Sequence, residues 1–328
     1  MSYEDDYEAL REAVALGEVA PSRAIGITGR DRASYLQGLL TNDIEVLITG
    51  TGCYAAWLTA QGRMLTDLHV FESGDMILLD VPSAEHAATL ARLDQFLFSE
   101  DVQLTDLGGS LRPVWVHGPS AAALLEQVTG SLTGLASWAQ YQNARTEISG
   151  AAVVVARVDQ LGVPGFCVYA DPSTVETVAA TLRAGGAVQA SADAIEAARI
   201  EAGYPIFGMD MTPETIPLEA GIEDRAISLS KGCYVGQEVI IRVLHRGHGR
   251  VAKRLVALRV AGGVPAVGAR IFAGDKDAGV ITSAAYSPRL GSIALGYVHR
   301  DFVSPGTSVA VDTPSGRVSA VVSDRPLA

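Results

Sequence analysis

The chain has 328 residues, 37 acidic against 25 basic, a formal charge of −12 and a hydrophobic share of 48%. At roughly 100–200 residues per domain this length holds two or three domains, and the composition excludes a disordered or low-complexity chain. The negative charge excludes a protein that coats nucleic acid non-specifically, because bulk phosphate binding needs a basic surface.

The first residues are acidic, with Glu4, Asp5, Asp6, Glu8, Glu12 and Glu18 against Arg11. They lack the basic and apolar regions of a signal peptide, and no run of about 18 apolar residues suggests a membrane span. Cys53, Cys167 and Cys233 stand far apart and form no C-x-x-C. Neither a disulfide framework nor a closed zinc site is expected, and a reduced, cytoplasmic chain is the simplest reading.

In chain order, residues 5–18 have helical period, with Leu10, Ala13 and Val14 on one face. A strand at 24–28 closes on Gly29, and a helix follows from Asp31 through Leu40. Strands are expected at 54–59, 64–71 and 76–81, then a helix from Ser83 to about Phe98 and a strand at 102–107. The order then repeats: a strand at 114–117 ending on Gly118, a helix from Pro119, and strands within 138–147, 152–158 and 166–170. A helix at 172–183 and a strand near 187–190 complete it. Each segment reads strand, helix, three strands, helix, strand, which predicts two split βαβ modules with helices covering one side of antiparallel sheets. From about Arg250 short alternating strands are separated by turns such as Gly262-Gly263 and Pro305-Gly306. An antiparallel barrel or sandwich of about six strands fits that pattern. The expected class is α+β, with modules at 1–110 and 111–245 and a barrel at 246–328.

Between the second module and the barrel, a helix at 192–202 carries Arg199 and Glu201 near its end and leads into Gly203 and Tyr204. A loop of about twenty residues follows, and loops of that length are functional or disordered. Its apolar residues Ile206, Phe207, Met209, Ile216 and Leu218 favour an ordered binding loop. Next comes Ser230-Lys231-Gly232-Cys233-Tyr234-Val235-Gly236-Gln237-Glu238, with Arg242 after it. A free cysteine is commonly a buried small hydrophobe. Against that, Lys231 and a helix starting near Gly236 would both favour a Cys233 thiolate. Glu201, at the unfavourable end of a helix dipole, needs a partner, for which the N–H edge of a heterocycle is one option. Between Lys231 and Arg259 the local charge is +6, from Lys231, Arg242, Arg246, Arg250, Lys253, Arg254 and Arg259 against Glu238, with His245 and His248 nearby. That segment is either a charged strand edge or an anion site for a carboxylate tail or phosphate.

The stretch Lys231 to Glu238 resembles the K-G-C-[YF]-x-G-Q-E signature of the YgfZ-type folate-binding proteins. The resemblance extends through Gly29, Gly52 with Tyr54, Gly62, Gly118-Pro119, Arg199-x-Glu201-x-Gly203 and Gly208-x-Asp210 into the barrel at Gly279, Ser287-Pro288 and Gly296-Tyr297. The wider superfamily is that of the glycine-cleavage T-protein, an aminomethyltransferase. The resemblance implies a three-part fold around a channel that binds tetrahydrofolate or a one-carbon-substituted folate. It implies Tyr54 and Asp67 near the reactive part of folate, Glu201 at the pterin edge, and Tyr204, Gln237 and Arg242 as further cofactor contacts. Cys233, Lys231 and Asp67 are the implied chemical residues, with Lys231 and the arginines near 242–250 attracting the glutamyl tail or holding the thiolate. The T-protein has a paired Asp-Asp where this chain has Thr66-Asp67, and it lacks the signature cysteine. Both departures favour the YgfZ type. The expected role is that of a folate-binding accessory factor for iron–sulfur cluster assembly or repair, which supports enzymes including those that modify tRNA. Its partners would be iron–sulfur proteins or their assembly machinery, with a monomer expected and no stable nucleic-acid or membrane partner. The alternatives are a folate-dependent aminomethyl or one-carbon transferase and an RNA-binding module using the +6 segment.

Overall fold

In the computed structural model, residues 2–245, 249–313 and 316–327 are described. The first half runs α1 (Tyr3–Glu12), β1 (Ala15–Leu16), β2 (Ser22–Thr28), α2 (Arg32–Gln37), β3 (Gly52–Leu58), β4 (Met64–Glu72), β5 (Ile77–Pro82), α3 (His86–Gln95) and β6 (Gln103–Asp106). The second runs β7 (Arg112–His117), α4 (Ala121–Thr129), β8 (Asn143–Ile148), β9 (Ala151–Arg157), β10 (Gly165–Ala170), α5 (Val175–Ala184) and β11 (Val188–Gln189).

Helix α1 starts on a capping box, in which the Ser2 hydroxyl accepts from the Asp5 N–H and the Asp5 carboxylate accepts from the Ser2 N–H. It is shorter than its periodicity predicts. Ala15 and Leu16 leave the helix to pair antiparallel with His117 and Val116 and parallel with Val188 and Gln189. Sheet hydrogen bonds outcompete one more turn of helix there.

The first module forms a five-stranded sheet in the order β3-β4-β5-β2-β6. Along β3 the side chains alternate: Tyr54, Ala56 and Leu58 join the central core, while Cys53, Ala55 and Trp57 pack under the helices with Leu36, Leu79 and Leu93. With both faces buried, these strands read as near-continuous apolar runs rather than clean alternations. The second sheet has the order β11-β1-β7-β10-β9-β8. The three strands before each module's second helix keep the same arrangement beside the module's first strand, so the repeat of elements is a repeat of topology. The module edges differ. In the first, β6 pairs with β2, whereas in the second the place beside β7 is taken by β1 from the start of the chain. Two glycines mark the equivalence. A Cβ on Gly29 (φ +104°) would lie 2.0 Å from Asp101 O, and one on Gly118 (φ +121°) 2.4 Å from Ala13 O, so each tight exit from a strand abuts the backbone entering beside it.

The chain continues as α6 (Ala192–Ala202), α7 (Pro217–Ala220), α8 (Glu223–Ala226) and α9 (Gln237–His245). The expected long loop is therefore interrupted by two one-turn helices. The remaining strands, β12 (Lys253–Val260), β13 (Arg270–Ala273), β14 (Lys276–Ser287), β15 (Gly291–His299), β16 (Ser308–Thr313) and β17 (Gly316–Ser323), close into a six-stranded antiparallel barrel. The fold is α+β, with two related modules and a closed barrel. Trp115, Ala156, Cys167 and Tyr169 of the second sheet share one core with Tyr54, Ala56 and Phe71 of the first, so the sheets face each other with helices outside. Among the described residues no helix is long and apolar enough to cross a membrane.

Candidate functional site

A cavity of ≈ 460 Å³ opens between the facing sheets and the loop after α6. Its walls include Val19, Pro21, Val81, Pro82, Ile206 and Phe207, and its polar lining includes Ser22, Tyr54, Asp67, His69, Asp80, Trp115, Gln160 and Tyr204. The register of β3 and β4 builds the floor. Tyr54 pairs with His69 and Ala56 with Asp67, which sets Tyr54, Asp67 and His69 on one sheet face. The Tyr54 hydroxyl donates to Asp67 Oδ2 at 2.6 Å. Burial pushes the Asp67 carboxyl above its ordinary range, partly opposed by the Tyr54 hydrogen bond and by the positive charge of Arg225. Burial and the neighbouring Asp67 raise the Tyr54 phenol well above its ordinary value, which keeps it a donor.

Two residues that the sequence reading did not single out, His69 and Asp80, complete the floor, and a third, Arg225, braces it. His69 Nδ1 lies 3.4 Å from Asp80 Oδ2, and Nε2 lies 3.4 Å from the Tyr204 hydroxyl. The Arg225 guanidinium carbon sits 4.1 Å from the Tyr204 ring centroid and 4.8 Å from that of Tyr54, a double cation–π contact that fixes both rings. Period-2 spacing from Asp67 could have pointed to His69, and the charged Asp80 within the apolar run of β5 was a second signal. Arg225 carried none, because it approaches from α8. Ser22 Oγ, Asp80 Oδ1, Gln160 Oε1 and Trp115 Nε1 are buried without a hydrogen-bond partner, although all four residues line the cavity. Each orphaned group costs about 1–3 kcal/mol unless a ligand satisfies it. Two acceptors, a donor and a hydroxyl that can do either, around an apolar slot, fit the edge of a flat N–H- and C=O-bearing heterocycle, as in the pterin of folate.

Tyr54, Asp67 and Tyr204 thus meet in one cavity; the other expected residues do not line it. Glu201 is a correction. It is 1% exposed and accepts from Tyr7 at 2.7 Å, from Ser287 and Arg11, and from Arg289 at 3.4 Å. Its partner is a knot tying α1, α6 and the barrel together, which leaves no free edge for a pterin. Arg199 is likewise fully buried, bonding Glu196, the Tyr204 carbonyl at 2.6 Å and Asp210 at 2.8 Å. Asp210 in turn accepts from Thr282 at 2.5 Å and Ser283 at 2.7 Å in β14. The Arg-x-Glu-x-Gly motif therefore holds the loop that presents Tyr204.

Lys231 is the second correction. Its ammonium donates to the carbonyls of Gln37, Leu40 and Asn42 at 2.7, 2.6 and 2.8 Å, tying the signature loop to the end of α2. Burial lowers its pKa to about 8, opposed by Asp43, Cys53 and Glu45. All three N–H groups are engaged, so none remains for a glutamyl tail or for a Cys233 thiolate. Cys233 is exposed, whereas Cys53 is buried and its thiol is pushed up to about 12 by that burial. Gln237 donates to Gly232 O at 3.5 Å, and Arg242 is paired with Glu238 at 2.7 Å, the expected i,i+4 pair. Among the described residues of the +6 segment, Arg242, Lys253 and Arg254 each turn to a different partner. Arg254 pairs with Glu223 at 2.6 Å and Lys253 lies 4.7 Å from the Tyr297 ring centroid. Arg246 and His248 lie outside the described residues.

Residues 1–231 match the GCVT N-terminal domain and residues 253–328 the glycine cleavage T-protein C-terminal barrel domain. Among curated proteins, the aminomethyltransferase of Rubrobacter xylanophilus is 31% identical over 296 residues, covering 89% of this chain and 78% of that one. The aminomethyltransferase of Saccharopolyspora erythraea is 30% identical over 316 residues, covering 94% and 84%. The crystal structure of the glycine cleavage system aminomethyltransferase T from Bartonella henselae superposes with a TM-score of 0.87 over 99% of this chain and 89% of that one, at 22% identity, which speaks for the shared fold. By sequence across both parts, the chain belongs to the glycine cleavage T-protein family.

Proposed function

We propose that the chain is a tetrahydrofolate-dependent one-carbon transferase of the aminomethyltransferase kind. The observation that carries this reading is Asp67, a carboxyl raised by burial, hydrogen-bonded by Tyr54 and lining an apolar cavity whose orphaned polar atoms suit a pterin edge. Tetrahydrofolate, when bound, would supply the nitrogens that accept the one-carbon unit. Asp80, Gln160 and Trp115 would hold the ring edge. Asp67, protonated more readily than a free carboxyl, would give its proton to a departing amine and take one back from a nitrogen in the cavity. Tyr54 orients the carboxyl, and the apolar walls keep water from competing. Formation of methylene-tetrahydrofolate from an aminomethyl donor tests the activity. Turnover lost in Asp67→Asn with tetrahydrofolate binding retained supports it, and no turnover by the wild type with any aminomethyl donor overturns it.

A second reading rests on Cys233, an exposed thiol within Lys231-Gly232-Cys233-Tyr234-Val235-Gly236-Gln237-Glu238, and on Thr66 standing beside a single aspartate. In that reading the chain binds folate as an accessory factor for iron–sulfur proteins, including tRNA-modifying ones. A strain lacking the factor should be rescued by the wild type and not by Cys233→Ser. Full rescue by the variant removes the role of the thiol.

A further inference from the structure

A second cavity, of ≈ 470 Å³, lies between the end of α6, α8 and the barrel, and its lining includes Glu223, Asp224, Arg225, Arg254, Asp324 and Arg325. Pro205 lines both cavities, and Arg225 reaches from the second to stack on Tyr54 and Tyr204 of the first. The two spaces are therefore separated by the Tyr54–Arg225–Tyr204 stack.

The polar groups of this cavity are incompletely matched. Among the described residues, the Arg225 guanidinium touches the two aromatic rings and donates to no carboxylate or carbonyl. A planar fork of five N–H donors without an acceptor is the group that binds a carboxylate bidentately. Arg325 stands close behind it, anchored on Ala220 O at 2.7 Å, and burial together with the like charge of Arg225 lowers its pKa to about 10. On the acidic side, Glu223 gives Oε1 to Arg254 at 2.6 Å and leaves Oε2 buried without a partner. Asp224 and Asp324 add two more carboxylates to the same lining. Three arginines face three carboxylates, so the cavity is formally neutral. A purely anionic ligand would upset that balance, and so would a purely cationic one. A ligand with both charges would not.

We propose that this cavity binds a small zwitterionic α-amino acid, its carboxylate on the Arg225 fork and its ammonium on Glu223 with the neighbouring aspartates. The volume admits a short side chain as well as the two charged ends, and the site places such a molecule across the aromatic stack from Asp67. The lining of the second cavity, and not folate binding in the first, carries this inference.

Calorimetric titration of the full chain, without folate, tests this with glycine, alanine and serine as probes and with acetate and methylammonium as single-charge controls. At least one amino acid should bind saturably, about tenfold or more tighter than either control. Glu223→Gln, which keeps a hydrogen bond to Arg254, should weaken amino-acid binding about tenfold without altering acetate binding. Arg225→Lys keeps a cation on the rings but loses the fork, and should weaken both. Absence of saturable binding by all three amino acids overturns the inference, as do acetate binding equal to that of the amino acids and unchanged affinity in the correctly folded Glu223→Gln chain. Tetrahydrofolate titration of the wild type and of Glu223→Gln reads the first cavity separately, so failure of one site is not failure of the other. Arg225→Lys, which also alters the Tyr54–Tyr204 stack, is read for amino acids and acetate alone.

Discussion

The Tyr54 hydroxyl and Asp67 Oδ2 meet at 2.6 Å across a diagonal of adjacent strands. That contact puts a buried acid under the control of a phenol which, being raised itself, stays a donor. Tyr54→Phe should keep the fold and lower turnover about 10–100-fold, the range expected when an orienting partner is removed. Steady-state kinetics with methylene-tetrahydrofolate formation as the readout checks it; unchanged turnover would make the contact structural only.

The raised Asp67 also ties stability to pH. Its ordinary value is 3.8, and in the fold it holds its proton to higher pH. Between the two values the folded state binds more protons than the unfolded one, so the Asp67 contribution falls as pH rises through that window and is flat above it. Asp67→Asn removes the effect. Denaturant midpoints measured against pH should show the variant gaining on the wild type as pH rises from about 4, and parallel profiles would refute the shift.

Glu201→Ala should act on stability and not on folate. Removing one partner from a buried ion cluster costs about 3–5 kcal/mol, read as a lower urea midpoint, and Arg11→Met should show part of the same loss. Tetrahydrofolate affinity, measured at a temperature where the variant is folded, should stay within about twofold. A large loss of affinity with unchanged stability would return Glu201 to the pterin edge.

Asp80 and Gln160 make the opposite pair. Gln160→Ala removes an orphaned acceptor, so stability should change little or rise, whereas Asp80→Ala also takes Oδ2 from His69 Nδ1 and should cost some stability; tetrahydrofolate affinity should fall about tenfold in each. Calorimetric titration checks both, and undiminished affinity would take these residues out of the ring site.

Lys231→Ala removes three hydrogen bonds from a charged donor and should cost about 3 kcal/mol or more. The alkylation rate of Cys233 in the folded chain should be unaffected, because the ammonium is engaged by carbonyls. A drop in that rate would show that Lys231 supports the thiolate after all.

The order of elements in both modules and the antiparallel strands of the last part were legible in the sequence, because apolar period and glycine turns are local properties; Tyr54 and Asp67 came from the family resemblance. The sequence alone determined most of the strands and helices of the two modules and that the stretch from Arg199 to Glu238 is unusual, but not β1 or the one-turn helices α7 and α8. Only the tertiary structure decided what that stretch does. Arg199, Glu201 and Lys231 form specific contacts, but with Asp210, Arg11 and the α2 carbonyls, partners distant in the chain or carrying no side-chain signal. It likewise decided that β1 completes the second sheet and that Arg225, from a one-turn helix, stacks on Tyr54 and Tyr204. Motif spacing identifies charged residues that need partners; long-range packing chooses between a ligand and the protein's own groups, because a buried charge takes whichever partner the fold brings within hydrogen-bond reach.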